Sequence, residues 1–162
     1  MPATLHMICG KIGAGKSTLA QQLGASANTV ILSEDAWLAA LYGDEMHTLK
    51  DFVRCSAKLK TAMGPHIVSL LKAGVSVVLD YQANTRDVRI WMRGLFTDAQ
   101  AEHRLHLLDV PDEVCLARLH ARNADGEHPF AATEAQFHQV TKHFLPPQDD
   151  EGFTVVTHTA PA

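Results

Sequence analysis

The sequence predicts an α/β fold, a three-layer sandwich with a five-stranded parallel sheet between two layers of helices. Two observations lead there. Short apolar runs recur five times along the 162 residues, each followed or preceded by a stretch of helical periodicity. The early runs are near-continuous rather than alternating in polarity, as strands buried on both faces are. A chain of this length forms one domain with an adequate core, so residues 1–162 are read as a single unit.

Residues 4–9 read as the first strand. A glycine-rich turn follows, then a helix over 16–23 that Gly24 would stop. Residues 30–32 form the second strand, ending in Ser33-Glu34-Asp35, and a short helix over 36–41 stops near Gly43. Leu49, Phe52, Val53, Ser56, Leu59 and Met63 fall on one helical face, and Gly64-Pro65 is expected to break or kink that helix. A further helix over 66–72 ends at Gly74. The third strand spans 75–79 and ends at Asp80, and a turn over 81–85 leads to a helix carrying Val88, Met92, Leu95 and Ala99 on one face. Asn84 or Thr85 caps it. The fourth strand spans 105–110. Pro111, Asp112 and Glu113 suit the first turn of a helix reaching about Arg122. Residues 123–130 read as a polar loop. Thr133 and Gln136 form a capping box for a helix to Phe144, which Pro146-Pro147 ends. A turn over 149–152 precedes the fifth strand, 153–156.

Composition narrows the function classes. The formal net charge of −4 weighs against a long polyanionic partner, though short nucleic-acid ends stay open. Cys9, Cys55 and Cys115 form no C-x-x-C pair, so neither a zinc ribbon nor a redox motif is indicated. An odd cysteine count reads as reduced thiols and a cytoplasmic location. No apolar run approaches a membrane span, and the chain enters a strand too early to leave room for a targeting segment.

The chemistry starts in the first turn. Gly10-Lys11-Ile12-Gly13-Ala14-Gly15-Lys16-Ser17 fits G-x-x-x-x-G-K-[ST], the phosphate-binding P-loop or Walker A motif, in the strand–loop–helix setting that motif needs. Gly10, Gly13, Ala14 and Gly15 would turn backbone N–H groups toward phosphate oxygens, and the following helix N-terminus, with Ser17 and Thr18, adds a favourable dipole. Lys16 would bridge the β- and γ-phosphates and Ser17 would ligate Mg²⁺. Asp80, closing a Val-Val-Leu run, has the pattern of a Walker B acid that holds the metal directly or through water; an ordinary turn residue looks the same. Asp35 could accept the proton of an attacking hydroxyl or cap the helix behind it, with Glu34 the weaker competitor. Asn84 and Arg86 could touch substrate or nucleotide, and Asn84 fits a cap equally. Arg118 and Arg122, one helical turn apart, suit a lid over about 118–132 that brings positive charge to a transferring phosphoryl group, or a solvated pair. Arg54, Lys58 and Lys60 could shape an acceptor pocket, and Trp37 and Phe52 could wall it. The ten histidines form no H-E-x-x-H pattern, so no catalytic metal other than Mg²⁺ is indicated, and no N-K-x-D guanine motif is present.

With the P-loop, Asp35, Asp80 and Arg118/Arg122 in this order, the chain resembles the small P-loop phosphotransferases, the branch with zeta toxins, chloramphenicol phosphotransferase and the kinase domain of polynucleotide kinases. The resemblance covers nearly the whole chain, including residues 133–151 with Phe137, Phe144 and Pro146-Pro147. It implies a P-loop NTPase fold of nucleotide-kinase type, with Asp35 as the base that activates the acceptor hydroxyl and Arg118 and Arg122 as the lid arginines. Polynucleotide kinases carry an arginine three residues after the base; here Leu38 stands there. That departure and the acidic balance favour a small hydroxylated acceptor over a 5′-hydroxyl nucleic-acid end. The expectation is therefore a kinase using ATP and Mg²⁺, with a slow or non-catalytic ATP-binding module as the alternative from another class.

Overall fold

The computed structural model describes residues 2–125 and 133–159. Strands β1 (Thr4–Cys9), β2 (Thr29–Ser33), β3 (Ser76–Gln82), β4 (Glu102–Asp109) and β5 (Val155–Thr159) form one sheet in the order β2-β3-β1-β4-β5, every pairing parallel. Helices α1 (Lys16–Gly24), α2 (Glu34–Tyr42), α3 (Leu49–Lys72), α4 (Arg86–Ala99), α5 (Asp112–Asp125) and α6 (Glu134–Thr141) connect them. This is the expected three-layer architecture. β1 takes the central place, between β3 and β4.

Successive strand residues point to opposite faces, so the sheet builds two cores. Leu5, Met7 and Cys9 join Val77, Leu79 and Tyr81 against Cys55, Leu59, Ile67 and Leu71 of α3 and Met92, Leu95 and Phe96 of α4. Ile8 and Val78 face the other way, against Ala20 of α1, Cys115 and Leu119 of α5 and Phe137 of α6. Burial pushes the Cys9 thiol up to about 11, so it is protonated and inert at neutral pH.

Several local expectations need correction: β4 starts earlier, at Glu102, and α6 ends earlier, at Thr141. α3 runs unbroken through Gly64-Pro65. Proline inside a helix costs about 3 kcal/mol, but Leu59, Ile67 and Leu71 are buried on both sides of it, each worth roughly 1.5–3 kcal/mol, so packing outweighs the local penalty. β3 continues to Gln82 instead of stopping at Asp80, which places that carboxylate within the strand. β5 starts at Val155 because Phe153 turns inward, its ring 6.0 Å from Phe96 and 5.9 Å from His103, and the first ladder bond runs from Leu105 N to Thr154 O. α5 extends to Asp125, through the first residues expected as loop, and the remainder of that loop (126–132) lies outside the described residues. The capping box of α6 is formed as expected, Gln136 N donating to Thr133 Oγ1 at 3.1 Å and Thr133 N to Gln136 Oε1 at 2.8 Å.

The register between β1 and β3 breaks in one place. Met7 pairs with Leu79, but Ile8 pairs with Gln82, so Asp80 and Tyr81 form a bulge on β3. Bulges re-aim side chains, and this one separates a buried Tyr81 from an Asp80 that meets the P-loop lysine. The P-loop, Asp35 and Asp80 lie here, near the carboxyl ends of β1, β2 and β3, where open α/β sheets bind ligands.

Candidate active site

The loop after β1 takes its shape from two left-handed glycines, Gly13 at φ 82° and Gly15 at φ 103°. Gly13 has a second constraint, since a Cβ there would stand 2.5 Å from the Cys115 carbonyl oxygen at the start of α5. Gly15 is the N-cap of α1 and brings no side-chain cap. The first N–H groups of α1 therefore have no side-chain partner, as an anion site at a helix N-terminus requires. Ser17 and Thr18 are exposed.

Lys16 Nζ donates to Asp80 Oδ1 at 2.6 Å in a largely buried pair. The lysine expected of a Walker A motif and the aspartate expected of a Walker B motif are thus brought together in one ion pair. Ser17 and Asp80 offer one hydroxyl and one carboxylate oxygen, hard donors suited to Mg²⁺, which keeps several waters and takes few protein ligands. Among the described residues no group of three or more His, Cys, Asp or Glu could hold a metal ion. A site that completes its coordination with phosphate oxygens and water needs no such group, so the donor set fits Mg²⁺.

The two carboxylates after β2 separate cleanly. Ser33, not Asp35, caps α2, its Oγ accepting from Ala36 N at 3.3 Å. Glu34 is buried and accepts from Ser56 Oγ at 2.7 Å, with Lys60 Nζ at 3.6 Å from the same carboxylate. Asp35 is half-buried, and its side chain makes no hydrogen bond or ion pair among the described residues. Because Ser33 and Asp80 are register partners on β2 and β3, α2 starts beside the Lys16–Asp80 pair. Leu38, on the same helix, is fully buried and presents nothing to a substrate.

Arg118 folds back over the P-loop, its guanidinium donating to Ala14 O at 3.1 Å and Gly13 O at 3.4 Å. It also borders a cleft of about 310 Å³ with Thr18, Gln22, Val110, His158 and Thr159. Arg122, one turn on, is partly buried, and its Nε has no hydrogen-bond partner among the described residues. Arg86 pairs with Asp150 at 3.2 Å on the surface. Arg54 pairs with Asp51, and Lys60 stands 5.9 Å from the Trp91 ring centroid. Trp37 is exposed and Phe52 packs on the core.

Sequence reasoning missed several contacts around the site. Thr85 caps α4, leaving the Asn84 carboxamide free to bind the Gly10 backbone. Lys11 pairs with Asp112 at 2.6 Å, tying the P-loop to α5. Arg89 is fully buried and forms a double contact with Glu151. Its position three residues before Met92, on the buried side of α4, was a readable signal. His6, His106 and His158 form a ladder across three strands, with ring nitrogens 3.1 and 3.0 Å apart. Burial, then the neighbouring histidines and Arg104, lower His106 to about 4, so it is neutral at physiological pH.

A parallel sheet, a glycine loop opening a helix and a paired lysine and aspartate at the strand ends define the class: a P-loop NTPase domain of the kinase-like type. Residues 5–147 match the family model AAA_33, described as an AAA domain, and the chain belongs to that family. No curated protein matches it. Its structural neighbours include several kinases. A protein from Chloroflexus aurantiacus, whose description as a kinase is itself provisional, superposes with a TM-score of 0.75 at 21% identity, over 98% of this chain and 85% of that one. The APS kinase CysC of Mycobacterium tuberculosis, solved with AMPPNP and APS, gives 0.60 at 19% identity, over 97% and 90%. A chain of the Pnkp1/Rnl/Hen1 RNA repair complex gives 0.62 at 17% identity, over 87% of this chain and 43% of that one. At these identities the likenesses establish the fold.

Proposed function

We propose that this chain is an ATP-dependent phosphotransferase that moves the γ-phosphoryl group of ATP to a hydroxyl of a small-molecule acceptor. The observation that carries the reading is the division of labour at the strand ends. Beside a phosphate loop with its lysine held on Asp80 stands one carboxylate, Asp35, that no other described residue engages. A nucleotide-binding module has no use for that carboxylate.

In this reading the backbone N–H groups from Gly13 to Ser17 and the Lys16 ammonium hold the β- and γ-phosphates. Asp35 accepts the proton of the acceptor hydroxyl as its oxygen bonds to the γ-phosphorus and the bond to the bridging oxygen breaks, releasing ADP. Arg118 stays on the P-loop carbonyls or turns one N–H toward the phosphates, and Arg122 adds charge from the next turn. Ser17 and Asp80 would hold Mg²⁺, which would supply charge neutralisation at the phosphates. Leu38 supports the small acceptor over a nucleic-acid end, because a buried leucine offers no grip on a substrate phosphate.

The test is a transfer screen with γ-labelled ATP across nucleosides, sugars, antibiotics and RNA 5′ ends. Asp35→Asn should lower transfer by about 10²–10⁴-fold and leave ATP affinity within a few-fold of the parent. Lys16→Ala should abolish transfer. Undiminished transfer by the Asp35 variant removes the base assignment. Labelling of RNA ends in preference to every small acceptor replaces the proposed substrate class.

A further inference from the structure

The bulge on β3 leaves β1 with a problem. A parallel strand needs its neighbour's backbone to satisfy its N–H and C=O groups, and after Leu79 the two chains fall out of step. The ladder recovers briefly, as Ile8 pairs with Gln82 and Ala83 N donates to Ile8 O at 3.1 Å. The next partner needed is one for Gly10, the first residue of the P-loop. Among the described residues no backbone group supplies it. The Asn84 side chain does, its Oδ1 accepting from Gly10 N at 2.9 Å and its Nδ2 donating to Gly10 O at 2.9 Å.

A carboxamide carries the same donor and acceptor as a peptide group, so it can stand in for one residue of a strand. An aspartate in this place would accept but not donate, and a serine would offer one short group for two sites. Asn84 is buried, so water does not compete for either bond. Its own carbonyl oxygen accepts from Leu145 N at 2.9 Å, and the preceding Ala83 oxygen accepts from buried Arg89 at 2.8 Å. The residue is therefore anchored from behind while it holds Gly10 in front. Gly10 also lies close to its neighbours, since a Cβ there would meet Leu108 and Ala14 at 3.1 and 3.3 Å.

We infer that Asn84 is a positioning residue for nucleotide binding, a peptide surrogate that extends the β1–β3 ladder into the P-loop and holds Gly10 so that the following amides converge on the phosphates. It acts through Gly10 and touches no substrate. This rests on the nucleotide-binding reading above. Without the clamp the loop samples conformations that do not bind, and the apparent dissociation constant rises by the inverse of the competent fraction.

The test uses the full chain with Asn84→Asp, which keeps the acceptor and loses the donor, and Asn84→Ser, which adds no charge. Calorimetry with MgATP, the melting midpoint of the nucleotide-free protein and hydrogen exchange over residues 10–15 are read together. The inference expects both variants to bind MgATP about tenfold or more weakly, the scale of one lost buried hydrogen bond, and to exchange faster over 10–15, with the nucleotide-free midpoint lowered by only about 2–12 °C, as the loss of that bond requires. Parent-like affinity in folded variants overturns it, even if their midpoint falls, because Asn84 would then serve stability only. If the parent itself binds no MgATP, the underlying reading fails, and that result is separate from anything the variants show. Should the serine variant fail to fold, the aspartate variant carries the comparison.

Discussion

Replacing Glu151 with alanine strands a buried charge, and its cost can be worked from the contacts. The Arg89 guanidinium is fully buried and donates to Glu151 Oε1 at 2.8 Å and Oε2 at 3.1 Å, and to the carbonyl oxygens of Ala83 at 2.8 Å and Leu145 at 2.7 Å. Carbonyl oxygens satisfy the remaining N–H groups but cannot neutralise the charge. Removing one partner of such a pair costs about 3–5 kcal/mol. In a domain of this size each kcal/mol lowers the melting midpoint by about 2–4 °C, so Glu151→Ala should melt about 6–20 °C lower. Glu151→Gln keeps hydrogen-bonding capacity and should lose less.

Acid titration gives a second readout of the same pair. Burial pushes the Glu151 carboxyl up, but bonds from Arg89 and from Gln148 N outweigh it and hold it below the ordinary glutamate range. A carboxyl lowered on folding contributes stability that is fully present above its unfolded value, about 4.3, and is lost as pH falls through the lower folded value. The parent should therefore lose stability across that acid range more steeply than Glu151→Ala. Urea unfolding at pH 7 and across the acid range measures both effects. A loss under about 1 kcal/mol at neutral pH, well short of the cost of an unpaired buried charge, or identical acid limbs, would refute the claim that Arg89 depends on Glu151.

Other outcomes follow from single contacts. Gly13→Ala needs a left-handed alanine with its Cβ 2.5 Å from the Cys115 carbonyl, so calorimetry should show MgATP binding lost or weakened at least about tenfold, with stability down by about 1–3 kcal/mol; parent-like binding would mean the loop does not keep this shape. Pro65→Ala restores an N–H in the interior of α3 at an exposed position, so the urea midpoint should rise, by up to about 3 kcal/mol of stability. A lower midpoint would show that the proline ring packs in a way its exposure does not suggest.

Much of the site was legible because its parts are local. The P-loop motif is a run of eight consecutive residues, so its pattern is read without any long-range contact, and Gly13 and Gly15 have the positive φ their type permits. The order of strands and helices followed from apolar periodicity, which reports burial directly. The misplacements at β3, α3 and β5 arose where a distant contact overrode local preference: the Ile8–Gln82 pairing that carries β3 past Asp80, the α3 face packed across Pro65, and the Phe96 and His103 rings around Phe153.

The sequence by itself determined an α/β sandwich, a P-loop motif, and two aspartates, Asp35 at the start of α2 and Asp80 within β3, close to that loop. It left open whether Asp35 caps α2 or serves as a base, with Glu34 the competitor, and whether Asn84 or Thr85 caps α4. Those residues have overlapping hydrogen-bonding chemistry, so composition cannot rank them. Only tertiary structure separates them, by what each side chain meets: Ser33 meets its own helix, Glu34 meets Ser56 and Lys60, Asn84 meets Gly10 from 74 residues away, and Asp35 meets none of the described residues. Long-range partners are chosen by strand order and register, and neither is written in the neighbourhood of the residues they join.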